Sequence, residues 1–295
     1  MRRKHQMHGR VLSATALALT LGVGLSSCSQ PSDGNATQAS ASAPVASDRA
    51  STEQAPGNDQ STRNAKALVK AMSDYLAEQK AISLDYDSIF EVVTDEKQKL
   101  QVATSGTLDM VRPDKLRATR KSGFSDTETV FDGKTLSIFG KGKNAYVQAE
   151  VPGTVDNLMD QMRDKFHRQL PGADLLASNV YDGLMADVVN VKDLGSGVIN
   201  GKECDHLAFR AKEADWQIWI AQGGTPYPCR YVITSTGVDQ APQFTMTIRD
   251  WKTGGAASDF TFKPPAGATK LDAKDLETLK ETSDLPENYR IGAGK

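Results

Sequence analysis

Between Ile82 and Phe262 the chain repeats a single pattern, in which apolar and polar residues alternate with a period of two. Leu207 and Phe209; Trp216, Ile218 and Ile220; Tyr231 and Ile233; Phe244, Met246 and Ile248; Phe260 and Phe262 each fall on one side of their runs. Successive side chains of a strand point to opposite faces, so this spacing predicts half-buried strands with one apolar, aromatic face. These runs are predicted as strands Val188–Leu194, Val198–Ile199, Cys204–Arg210, Asp215–Ala221, Cys229–Thr236, Phe244–Trp251 and Asp259–Lys263. An earlier set covers Ile82–Val93, Leu100–Val111, Leu116–Arg120, Thr127–Phe131, Leu136–Phe139 and Tyr146–Ala149. Pro113-Asp114, Asp132-Gly133 and Asn200-Gly201 supply turns, the last of type I′, and Ser105-Gly106 is read as a bulge. Two antiparallel meanders follow, each apolar on one face.

Helical spacing appears before and between them. Leu68, Met72, Tyr75 and Leu76 mark one face of a helix over Ala65–Lys80. Val155, Leu158, Met159, Met162 and Phe166 form a second stripe, with Thr154 or Asp156 as its cap. Ala173–Asp187 is a third candidate, weakened by Gly183. Stripes of Met and Leu are most often plain core, but methionine also suits a surface that accepts varied apolar shapes.

The first 62 residues read differently. Residues 1–10 are basic, Val11–Leu25 is apolar, and Leu25-Ser26-Ser27-Cys28 follows. The apolar run is shorter than the roughly 20 residues that a membrane-spanning helix needs. This leader resembles those of bacterial lipoproteins. The resemblance implies a signal peptide over 1–27, acylation of Cys28, and a membrane anchor. Ser29, where an acid would favour inner-membrane retention, implies the outer membrane. Residues 28–62 lack large apolar side chains and read as a disordered linker, on the order of 30 Å in r.m.s. span. The expected folded domain is 63–272, with a charged tail over 273–295.

The full chain carries a net charge of −2. The leader holds Arg2, Arg3, Lys4 and Arg10 and no acid, so the mature chain is more acidic by those charges. That argues against nucleic acid as a partner and against electrostatic docking on anionic lipid. Beyond the leader, His167 and His206 are the only histidines, a poor supply for metal sites or histidine catalysis. No cofactor is expected.

The strings Gly201-Lys202-Glu203-Cys204-Asp205-His206-Leu207-Ala208-Phe209, Asp215-Trp216-Gln217-Ile218-Trp219-Ile220 and Pro226-Tyr227-Pro228-Cys229-Arg230 carry a further resemblance, as does Phe260-Thr261-Phe262-Lys263-Pro264-Pro265-Ala266-Gly267-Ala268. With the order of elements, they resemble the LolA/LolB-like superfamily of periplasmic lipoprotein carriers. The closest likeness is to an uncharacterised branch of predicted periplasmic proteins within it. The resemblance implies an α+β fold: an open, strongly curved antiparallel sheet, or half-barrel, whose concave face is covered by helices. It also implies an apolar cavity for acyl chains such as palmitate. Candidate lining residues are Leu84, Tyr86, Met159, Met162, Phe166, Leu207, Phe209, Trp216, Ile218, Tyr231, Ile233, Phe244, Met246 and Phe260.

The expected function is non-enzymatic: a lipid-anchored protein binding acyl chains or lipidated protein. An envelope protein-interaction or lipid-sensing module is the alternative. A hydrolase would need a polar cleft with an activated nucleophile, which the sequence does not display. Cys204-Asp205-His206 does not supply one, because neighbours in a strand face opposite ways. The pair Cys204 and Cys229 is a candidate disulfide. An oxidising compartment argues for the bond. Pairing Phe209 with Trp216 and Ile220 with Cys229 argues against it, since it sets the two cysteines on opposite faces two strands apart. By the same alternation Trp219 and Trp251 fall on the face opposite Trp216.

Overall fold

The computed structural model describes residues 56–166, 170–255 and 259–272. The proposed leader and Cys28 lie outside them, as do His167 and the expected tail.

The first element, α1 (Pro56–Glu78), starts inside the stretch expected to be linker and extends the helix predicted from Ala65. Its apolar face buries Ala65, Val69, Met72 and Leu76 completely or nearly so. The first meander is β1 (Ala81–Val93), β2 (Lys99–Val111), β3 (Lys115–Ser122), β4 (Asp126–Phe131), β5 (Thr135–Gly140) and β6 (Ala145–Glu150). The helical middle is α2 (Val155–Asp164), a 3-10 turn over Ala173–Leu176, and α3 (Val180–Met185). The third predicted helix is therefore split. The second meander is β7 (Asn190–Ile199), β8 (Lys202–Arg210), β9 (Asp215–Ala221), β10 (Pro228–Thr234) and β11 (Gln243–Thr253), with a short β12 (Thr269–Lys270).

Among the described residues all strands join one open sheet of 12, in the order β12-β6-β5-β4-β3-β2-β1-β11-β10-β9-β8-β7. Every pairing is antiparallel except β12 with β6. The two meanders meet at one seam, β1 against β11, where Phe90 pairs with Phe244 and Tyr86 with Ile248. The turn chemistry agrees with the sequence: Asn200 and Gly201 both have positive φ, at 50° and 78°, as a type I′ turn requires. In the hairpin after β4, Asp132 Oδ1 accepts from the backbone N–H groups of Lys134 and Thr135 at 3.0 and 2.7 Å.

One apolar core joins the inner face of both meanders to the helices: Met72 and Leu76, Ile82 and Met110, Leu136, Leu158, Val180, Leu207 and Ile218 all belong to it. Helix α1 packs along β7 and reaches β9. Backbone hydrogen-bonding groups fix the helical middle in place. Tyr181 N donates to Ser73 Oγ on α1 at 3.0 Å, and Ser178 N to Asp156 Oδ1 on α2 at 2.8 Å. Thr154, not Asp156, caps α2, accepting from Asn157 N at 3.2 Å.

Three local expectations need correction. Ser105-Gly106 is no bulge, for β2 pairs without a break to both neighbours. Gly106 instead makes room: a Cβ there would stand 2.1 Å from Thr119 O and 2.6 Å from the end of the Tyr86 ring. Residues 259–263 form no strand. Phe262 lies on the outer face, its ring 5.4 Å from that of Tyr146 and 6.4 Å from that of Phe139. Finally, Trp251 is on the inner face. The register of β1 and β11 slips between Ser83 and Asp85, giving β11 an extra residue, and Asp250 there has φ 47°. The bulge turns the next side chain inward.

Candidate functional site

A cavity of about 410 Å³ opens on the inner face. One wall is the first meander, with Leu84, Tyr86, Leu108, Leu116 and Ile138. A second is α2 and the chain after it, with Leu158, Met159, Met162 and Leu170 to Leu176 except Asp174. The third is β11, with Phe244, Met246, Ile248 and Trp251. The space arises from side-chain size. On the inner face of β1 to β4 the chain places Ser88, Thr104, Gly106, Ala118, Thr127 and Thr129, all too small to fill the gap beneath a helix.

At the other end of the sheet the inner face is filled. Phe209 stacks on Trp216 with centroids 3.8 Å apart, and Tyr231 meets the Trp216 ring edge-on at 6.1 Å. Leu207 and Ile218 are fully buried beside them. Of the residues expected to line a cavity, Leu84, Tyr86, Met159, Met162, Phe244 and Met246 do so. Leu207, Phe209, Trp216, Ile218 and Tyr231 are packed core instead, because aromatic rings occupy their end of the sheet. Phe166 and Ile233 pack against that core without reaching the cavity, and Phe260 is half-buried outside its lining. Sequence reasoning did not name Leu108, Leu116, Ile138, Leu158 and Arg120 as lining, although each lies in an element read from the sequence: the strands Leu100–Val111, Leu116–Arg120 and Leu136–Phe139, and the α2 stripe. It missed Trp251 because nothing in the pattern announced the bulge.

The helical wall of the cavity and β11 are held by specific contacts. Tyr231 Oη donates to Asp174 Oδ2 at 3.0 Å, tying the 3-10 turn to β10. Burial and then the Asp174 charge push that phenol well above its ordinary value, so it stays a donor. Gly172, with φ 84°, lies so close to Met246 that a Cβ would be 2.8 Å from its Cε. Trp251 Nε1 donates to Tyr75 Oη on α1 at 3.2 Å, and its ring stacks on Tyr227 at 5.1 Å.

The polar part of the lining is small. Tyr86 Oη donates to Thr119 O at 3.2 Å across the gap left by Gly106. Burial raises the Tyr86 phenol, and the nearby Arg120 charge opposes the rise. On the outer face His206 stacks on Trp219 at 3.9 Å and meets Gln217 Oε1 at 3.0 Å. Asp205 accepts from Gln222 Nε2. Cys204-Asp205-His206 is thus spread over both faces and several partners. Among the described residues no group of three or more His, Cys, Asp or Glu could hold a metal. Among them, too, no helix is long and apolar enough to cross a membrane.

No curated protein matches the chain significantly. Among solved structures, LprF from Mycobacterium bovis is similar at TM-score 0.41 and 13% identity, over 68% of this chain and 98% of that one. The Mycobacterium tuberculosis lipoprotein LppX is similar at TM-score 0.35 and 12% identity, over 66% and 99%. A LolA superfamily protein from Nitrosomonas europaea is similar at TM-score 0.32 and 8% identity, over 65% and 94%. A family model described as predicted periplasmic protein (DUF2092) matches residues 65–273, and the chain belongs to that family.

Proposed function

We propose that this periplasmic family member is a non-enzymatic lipoprotein that holds an acyl chain, free or carried by a lipidated protein, in the cavity beneath α2. The observation that carries the reading is the cavity itself, about 410 Å³ and walled chiefly by Leu, Ile, Met and Phe side chains. That volume falls within the roughly 300–1,000 Å³ of small-molecule pockets. A sheet of 12 strands also exceeds the roughly ten beyond which open sheets curl. Curling wraps its inner face into a half-barrel, with the helical middle as cover of the concave side. Each buried methylene of a ligand contributes about 0.8 kcal/mol.

In this reading Cys28 is acylated after removal of residues 1–27 and anchors the protein at the outer membrane through the linker. Replacing Cys28 by Ser then moves the protein from the membrane to the soluble fraction. The binding reading is tested by native mass spectrometry of the full chain after gentle extraction. The expected result is a population carrying the mass of an acyl compound. A protein that carries none, and takes up neither palmitate nor a neutral acyl compound when these are supplied, overturns it.

A further inference from the structure

The cavity has an open end and a closed one, and both can be followed along the seam between the meanders. On β1 the lining side chains come in the order Phe90, Ser88, Tyr86, Leu84. On β11 Phe244, Met246 and Ile248 pair with the first three. Trp251 follows beyond the bulge and lies level with Leu84, between the pairs Asp85–Arg249 and Ser83–Lys252. The next row, Ile82 with Met110, is almost completely buried and takes no part in the lining, so the space ends against solid core. Leu76 of α1, equally buried, closes the same end. At the opposite end Phe90 and Phe244 are half-buried and Leu170 is 45% exposed. From Phe90 to Leu84 the lane covers six residues of extended strand, about 20 Å, close to the length of an extended palmitoyl chain.

Trp251 is held on the side away from the lane. Its Nε1 donates to Tyr75 Oη at 3.2 Å, and its ring lies parallel to that of Tyr227, with 2° between the planes. The indole N–H is therefore spent, and Leu76 and Leu84 beside it have no polar side-chain atom. A head group pushed to this end would lose its water without gaining a partner, which costs free energy. A terminal methyl meets no such cost, so a chain enters tail first and keeps its head at the Leu170 end. Packed walls do not admit a further methylene without strain.

Resting on the acyl-binding reading above, we propose that Trp251, with Leu76 and Leu84, is the floor on which the terminal methyl of a single acyl chain comes to rest. Its position sets the longest chain that the cavity buries.

The test measures binding of the saturated fatty acids from laurate to arachidate to the full chain, below their micelle concentrations. Affinity is expected to rise about four-fold per added methylene until the chain reaches Trp251, near palmitate, and to level off beyond. Trp251→Leu is expected to carry the rise on to stearate, whereas Leu170→Ala, at the mouth, leaves the break where it is. A break that stays in place in Trp251→Leu, or a rise that continues to arachidate in the unaltered chain, overturns the inference and leaves the acyl-binding reading standing. Failure of every fatty acid to bind overturns the acyl-binding reading instead. Should Trp251→Leu not fold, the unaltered chain decides the matter, because Trp251 is the only one of the three tryptophans that lines the cavity. Palmitate brominated at its terminal carbon is expected to quench tryptophan emission more strongly than palmitate brominated beside the carboxylate. Equal quenching, or the reverse order, overturns the floor at Trp251.

Discussion

The sulfur atoms of Cys204 and Cys229 lie 2.7 Å apart, although β9 runs between their strands. Two features bring them together. Cys204 pairs with Ala221, the last residue of β9. On β10 the register slips between Pro228 and Arg230, so Cys229 is an extra residue and leaves the face of Tyr231. Both cysteines then join a small outer core with Ile199 and Ala221. The alternation-based register that had separated them fails at this bulge.

In protein taken from an oxidising envelope, the pair is expected to be a disulfide, and peptide mapping without reductant checks it. The double variant Cys204→Ala, Cys229→Ala is expected to lose about 3 kcal/mol in urea unfolding, the entropy of closing a loop of this size. Burial pushes both thiols up, so the reduced protein should alkylate slowly at neutral pH unless unfolded.

Gly106→Ala is expected to destabilise the fold by about 1–3 kcal/mol, the usual range for overpacking. Its Cβ would meet backbone at Thr119 O, which cannot rotate away. Gly123→Ala is the control: nothing lies within 4 Å of the added carbon. Equal midpoints for the two variants in chemical denaturation would contradict this account of Gly106.

Asp250 holds the bulge in the left-handed region, at φ 47°. Asp250→Gly is therefore expected to be neutral or slightly stabilising, whereas Asp250→Val is expected to cost about 1–2 kcal/mol. The valine variant should also disturb the Trp251 environment. A change in tryptophan emission that is absent from Asp250→Gly checks this.

The hairpin at Asp132 predicts an acid limb. Burial raises that carboxyl, but the N–H groups of Thr135 and Lys134, with the Lys115 charge, outweigh it and hold the group below its ordinary value. A depressed folded value contributes stability above the unfolded pKa and loses it as pH falls through the folded one. The loss should thus run below about pH 4. Asp132→Asn is expected to flatten that part of the stability–pH curve, measured by thermal melts between pH 2 and pH 6.

The strands were legible because a half-buried sheet writes its two faces directly into the chain. Alternation put Phe244 and Met246 on the apolar face of their strand, and the family resemblance offered them, with Leu84 and Tyr86, as lining of a cavity on that face. The same reasoning misplaced Trp251 and Cys229, since one extra residue in a bulge reverses every later inference about facing. Alternation also gave Leu207, Phe209 and Trp216 the right face but could not tell a filled end of the sheet from an empty one. That distinction depends on what stands opposite: rings at Trp216 and Tyr231, against small side chains at Thr104, Ala118 and Thr127. The start of α1 at Pro56 was hidden because its first turns carry no apolar stripe, and Phe262 because an apolar residue two from another need not be in a strand.

The β1–β11 seam has a consequence for how the protein is made. Ile82 finds its partner Thr253 only after almost the whole domain has been synthesised. Until then β1 is hydrogen-bonded to β2 alone, and its other edge is a row of unpaired backbone groups beside Tyr86 and Phe90. Such long-range closure is slow, and the waiting intermediate is prone to pair with other chains. A ribosome or export pore that stalls before β11 would release a half-sheet with an adhesive border, so the last strands to arrive act as the stopper that keeps the first ones from aggregating.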